Sequence, residues 1–258
     1  MNFSVSYQSP MKQQADEIRC PYNKLGSLFK FIKEHPEKRY CITIDKILTK
    51  EEIDKAIEQI DIVISVTDNY TVSCQDFRQS FQFLDLKYNT FLNFPVTDWE
   101  TFSYLRKLEV TDIYIDGPLG FQCNAITAEK GDIKIRVSPT VSANSALSRT
   151  GRSPSSFFIR PEDLSLYEDA IDIIDFNVPL IDTETTLFNV YKRGYFSFNI
   201  DQLILGLPEG ANNVIFNKNF AQERLNCAQK CNIPSRSCHI CSRYFTIAEQ
   251  MQKLSTRN

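Results

Sequence analysis

The chain has 258 residues, 42% of them hydrophobic and 24% charged, with 8 Gly and 11 Pro, a composition that excludes disorder or low complexity as its overall description. Lys plus Arg number 29 against 32 Asp plus Glu, so a net charge of −3 provides no overall basic footprint for nucleic acid. No apolar run reaches the ~18 residues of a membrane helix, and residues 1–20 are too polar for a signal peptide. The expectation is a cytoplasmic protein that does not meet a membrane.

In chain order, the first β-branched or aromatic run predicts a strand at residues 3–7. Leu25, Leu28, Phe29 and Ile32 then recur at i, i+3, i+4 and i+7, which predicts an amphipathic helix. A strand is predicted at 40–45, a helix on Ile53, Ala56, Ile57 and Ile60, and a strand at 61–67. Phe77, Phe81 and Leu84 form the next stripe, before a strand at 90–94. Trp99, Phe102 and Leu105 predict a helix capped by Asp98, followed by a strand at 112–116. Strands at 133–138, 156–160 and 172–176 complete a set of eight. The connections at 118–131 and 139–154 read as weaker helices or loops, and Leu187, Val190 and Tyr191 supply a last helix.

Strands alternating with helices predict a (β/α)8 TIM-type barrel, regular or irregular, over residues 1–200. A doubly wound open sheet is the alternative, because periodicity does not demonstrate closure. Residues 201–258 read as a helical extension carrying a cysteine-rich metal site. Tyr244, Ile247, Met251 and Leu254 would form its closing helix.

In such barrels the reacting groups sit at the C-terminal ends of the strands. Those ends carry Asp45, Asp68, Asn93, Asp116, Arg136, Arg160 and Asp175. Ile42 and Ile44 alternate with Asp45, Ile113 and Ile115 with Asp116, and Ile133 and Ile135 with Arg136. If the isoleucines meet the helices, the charged residues point inward. The candidate catalytic set is Asp45, Asp116, Arg136, Arg160 and Glu162. Asn93, Asn144, Arg149 and Arg152 are candidate substrate-binding residues, with Arg136, Arg149, Arg152 and Arg160 able to form a local basic cleft. The competing reading is structural: such residues also start loops, cap helices or form buried Arg–Asp pairs.

Neither GxGxxG nor GxxxxGK[ST] occurs, so nucleotide chemistry has no positive support. The two histidines, His35 before Pro36 and His239 among cysteines, are poorly placed for a Ser-His-Asp or Cys-His arrangement. Cys227, Cys231, Cys238 and Cys241 fall within fifteen residues, and without a secretory signal they read as a metal site before they read as disulfides. Four thiolates suit zinc or an iron–sulfur cluster, and the x3, x6, x2 spacing leaves the metal open.

Four segments resemble the U32 peptidase-type family. Residues 105–119, LRKLEVTDIYIDGPL, are similar to that family's helix-then-strand "gVDaiivgDpG" unit. Residues 133–145, IKIRVSPTVSANS, resemble its "ihvSTQmnvtN" strand and loop. Residues 158–168, FIRPEDLSLYE, resemble its "vlsREls-l-E" strand and helix start. Residues 226–232, NCAQKCN, resemble its "CaQpCR" motif. The order along the chain is that of the family. The resemblance implies a TIM-type barrel and a cysteine-held [4Fe–4S] cluster, with Cys227 and Cys231 as ligands. Cys238 and Cys241 are added by proximity, since the family's upstream "HGalC…sGrC" segment has no counterpart here, a departure that zinc would also fit.

Family members include collagenase-like peptidases and proteins that assist oxygen-independent hydroxylation of RNA bases or quinone precursors. Scarce histidine and a closed four-thiolate site disfavour peptide hydrolysis. The expectation is therefore a cluster protein assisting hydroxylation of an RNA base or other small aromatic substrate. The alternative is a non-catalytic barrel scaffold or assembly factor, with a structural zinc site and a protein partner.

Overall fold

A computed structural model describes residues 1–115, 119, 123–138, 161–177 and 181–194. Its eight strands are β1 (Asn2–Ser6), β2 (Glu17–Pro21), β3 (Arg39–Ile44), β4 (Tyr70–Cys74), β5 (Thr90–Leu92), β6 (Asp112–Tyr114), β7 (Lys134–Val137) and β8 (Ile173–Asp175). The helices are α1 (Leu25–Glu34), α2 (Lys50–Ile64), α3 (Phe77–Asp85), α4 (Trp99–Lys107), α5 (Cys123–Glu129) and α6 (Ile181–Arg193), with 3-10 turns at Tyr22–Lys24 and Pro161–Leu166.

The sheet order is β5-β4-β3-β2-β1-β8-β7-β6, and every pair is parallel. The two ends of that row meet. Val96 bridges Ile115, Val96 N donates to Tyr114 O at 2.8 Å, and Thr111 N donates to Thr90 O at 3.0 Å. The result is a nearly closed eight-stranded parallel barrel with helices between most of its strands.

The sequence makes this shape through two faces of each strand. Val5, Ile18, Ile42, Val72, Ile113, Ile135 and Ile174 point outward into one continuous apolar core beneath the helices. On that core α1 lays Leu25, Leu28 and Ile32, and α4 lays Phe102 and Leu105. Helix α6 closes the ring, with Phe188 and Tyr191 edge-on to Phe3 and Phe176 at centroid distances of 5.4 to 6.5 Å. Starts are marked by caps: Asp76 and Asp98 accept from Gln79 N and Thr101 N, and Thr49 forms a reciprocal capping box with Glu52.

The architecture agrees with the predicted barrel, but one predicted strand is not a strand, and two observed strands, β2 and β4, were not predicted. The run at 61–67 is not a strand: Ile62, Val63 and Ile64 are the last turn of α2. The capping box starts that helix, and Ala56, Ile60 and Val63 continue one buried stripe through it. The strands in fact include β2 and β4, and the run at 156–160 lies outside the described residues. Helix α3 also turns a different face inward. Gln79, Ser80 and Phe83 are buried, while Phe77 is 43% exposed. The connection at 118–131 contains α5; that at 139–154, and the extension at 201–258, lie outside the described residues.

Candidate functional site

The second face of most strands carries polar side chains, which meet inside the barrel. Arg136 of β7 is fully buried. Its Nη2 donates to both carboxylate oxygens of Glu17, on β2, at 2.8 Å each, and its Nη1 donates to Asp175 Oδ2, on β8, at 2.9 Å. Asp112 Oδ1, on β6, accepts more distantly from Nε at 3.4 Å and Nη2 at 3.3 Å. Arg39 of β3 grips Asp112 with two bonds, 2.6 and 2.5 Å, and reaches Glu17 Oε2 at 3.1 Å. Side chains from β2, β3, β6, β7 and β8 can meet in this way only across the lumen. Ser4 Oγ donates to Glu17 at 2.6 Å, and the ring of Phe91 lies 4.7 Å from the Arg136 guanidinium carbon, a cation–π contact.

This network runs between the two ends of the barrel. Glu17, Arg39 and Asp112 stand at or next to the first residues of their strands, whereas Asp175 is the last residue of β8. At that C-terminal end, Arg19 Nη2 donates to Glu184 Oε2 at 2.8 Å, and Ser6 N donates to both Glu184 oxygens at 3.1 and 3.0 Å. Arg19 Nε lies 2.9 Å from Asp175 Oδ1, yet the two are misaligned, so this is a charge contact that leaves both atoms without a hydrogen bond. Three guanidiniums (Arg19, Arg39, Arg136) thus face four carboxyl groups (Glu17, Asp112, Asp175, Glu184).

The electrostatics differ along the lumen. Burial alone would raise the Asp112 carboxyl, but Arg39 and Arg136 outweigh it and hold the group at about 2. Glu184 shows the opposite balance: burial pushes its carboxyl up, against Arg19, Ser6 N–H and the Ser9 hydroxyl. Among the described residues, Glu17 and Asp112 are paired with Arg39 and Arg136, while Asp175 and Glu184 both contact Arg19.

The structure places the sequence-predicted residues unequally. Arg136 points inward as the alternation predicted, but it is wholly engaged by three carboxylates. Asp45 follows β3 and is exposed, accepting from Thr43 Oγ1 at 3.2 Å. Asn93 follows β5, and its N–H donates to Cys74 O at 2.8 Å. The two are not joined to the lumen network by any hydrogen bond of the described residues. Asp68 is exposed in the turn before β4, not at a strand end. Glu162 lies in the 3-10 turn at Pro161–Leu166. Asp116, Asn144, Arg149, Arg152 and Arg160 lie outside the described residues, as do Cys227, Cys231, Cys238 and Cys241.

Sequence reasoning did not single out Glu17, Arg19, Arg39, Asp112 or Glu184. The signal was present in β2, where Glu17-Ile-Arg-Cys-Pro alternates charged with apolar residues. His35 caps α1, packs tilted at 45° against the Phe31 ring with centroids 4.5 Å apart, and lies 3.4 Å from Glu37, in keeping with a structural role.

Cys20, Cys41 and Cys74 are buried and unpaired, and burial pushes the thiols of Cys20 and Cys74 up to about 12. Among the described residues no cluster of three or more His, Cys, Asp or Glu side chains is placed to hold a metal. The four thiols of the C-terminal segment remain the donor set whose chemistry fits a [4Fe–4S] cluster or zinc. No described helix is long and apolar enough to cross a membrane. No family model, curated protein or solved structure matches this chain.

Proposed function

We propose that this chain is a cytoplasmic U32-type barrel protein that assists oxygen-independent hydroxylation of an RNA base or another aromatic substrate. The observation that supports the reading is where the family-like segments fall. Residues 105–119 cover the end of α4 and all of β6, a helix followed by a strand. Residues 133–145 contain β7, and residues 158–168 contain the 3-10 turn at Pro161–Leu166. The helix-then-strand order of the first segment and the strand of the second are what the resemblance implies; residues 139–145 and 158–160 lie outside the described residues.

In this reading Cys227, Cys231, Cys238 and Cys241 hold a [4Fe–4S] cluster, which supplies one-electron transfer when bound. The barrel contributes its mouth. Asp45 and Asn93 stand on the rim after β3 and β5, and Arg19 and Asp175 form the floor beneath it. Substrate would be oriented there and would not pass below, because Glu17, Asp112 and Arg136 fill the lumen with side chains no more than 1% exposed.

That same sealed lumen favours a second reading. Strand-borne charges that neutralise one another are what a scaffold needs, and a catalytically silent barrel with a four-thiolate zinc site would have them too. Metal analysis and a visible absorption spectrum of the full chain, purified without oxygen, separate the two. Iron in the ratio of one cubane cluster per chain, with a brown absorption lost in Cys227→Ser, supports the U32-type reading. One zinc per chain and no colour would replace it with the scaffold.

A further inference from the structure

We draw no further inference here: the strongest candidate, the outer face of α3 where Phe77, 43% exposed, packs edge-on against Phe81, carries nothing because nothing in the structure shows what covers it.

Discussion

Replacing Arg136 by Met separates a structural from a catalytic role for this fully buried charge. Methionine roughly fills the space of the stem and removes the guanidinium. Three close donations are lost, two to Glu17 and one to Asp175, along with the longer contacts to Asp112. The carboxylates are not left bare. Glu17 keeps Arg39 and Ser4, Asp112 keeps both bonds from Arg39, and Asp175 keeps its charge contact with Arg19. Breaking a buried ion pair from one side costs about 3–5 kcal/mol, and these residual partners put the expectation at the lower end, ~3 kcal/mol. That is a large share of the roughly 5–15 kcal/mol by which domains are stable.

Urea unfolding would show this as a lower midpoint with an unchanged slope. Arg136→Lys keeps the charge but not the two-pronged donor, and should lose less. Glu17→Gln combined with Arg136→Met should recover part of the loss, because the orphaned charge goes with its partner. A loss below ~1 kcal/mol in Arg136→Met would refute the claim that the network supports the fold. Arg136 would then return to the candidate catalytic residues.

Other outcomes follow from single sites. Asp112, held at about 2 against an ordinary 3.8, contributes stability that is present above about pH 4 and lost as pH falls toward 2; the shift corresponds to about 2 kcal/mol. Acid unfolding followed by circular dichroism should therefore steepen in that window, and the step should be missing in Asp112→Asn. Gln79 is 4% exposed and neither polar atom of its amide has a partner, so Gln79→Leu should raise the thermal midpoint by an amount worth about 1 kcal/mol. A lower midpoint would mean that the amide is satisfied by water. Thr49→Ala removes one half of the capping box and should cost about 1 kcal/mol in urea unfolding, with Thr49→Ser near neutral.

What could be read from the sequence divides along the two faces of the strands. The outward face obeys the usual association of apolar residues with burial, so β1, β3, β5, β6, β7 and β8 were visible as short β-branched or aromatic runs. Strand β2 was not, because its inward residues are Glu17 and Arg19, and a charged residue alternating with an apolar one also describes a solvent-exposed strand. Only the arrival of Arg39, Arg136 and Asp175 from other strands makes those charges interior, and such long-range pairing has no local signal. The 61–67 error has the converse cause. Ile62, Val63 and Ile64 favour a strand locally, but the helix begun at Thr49 continues through them, and Ile62 is left 43% exposed. At the site, alternation found the inward direction of Arg136. It could not find Glu184, whose position depends on how α6 packs over β8 and the end of β1.

The lumen charges also explain how the barrel closes where its backbone is weakest. Seven neighbouring strand pairs carry a ladder, but β5 and β6 meet through the Val96–Ile115 bridge and the Thr111 N to Thr90 O bond. Across that seam run side-chain links: Arg39 on β3 to Asp112 on β6, and Thr71 on β4 to Thr111 at 2.7 Å. The Arg39–Asp112 pair spans the wall that contains the seam, so it resists the motion that would open it. Arg39→Met should therefore speed hydrogen exchange at the Val96 and Thr111 amides more than at Ile42 or Val72, which sit in full ladders. Uniform acceleration at all four amides would show instead that Arg39 stabilises the barrel as a whole and holds no particular joint. A selective effect would make the ion network a closure device, and would explain why a lumen that could have been filled with aliphatic side chains is filled with charge.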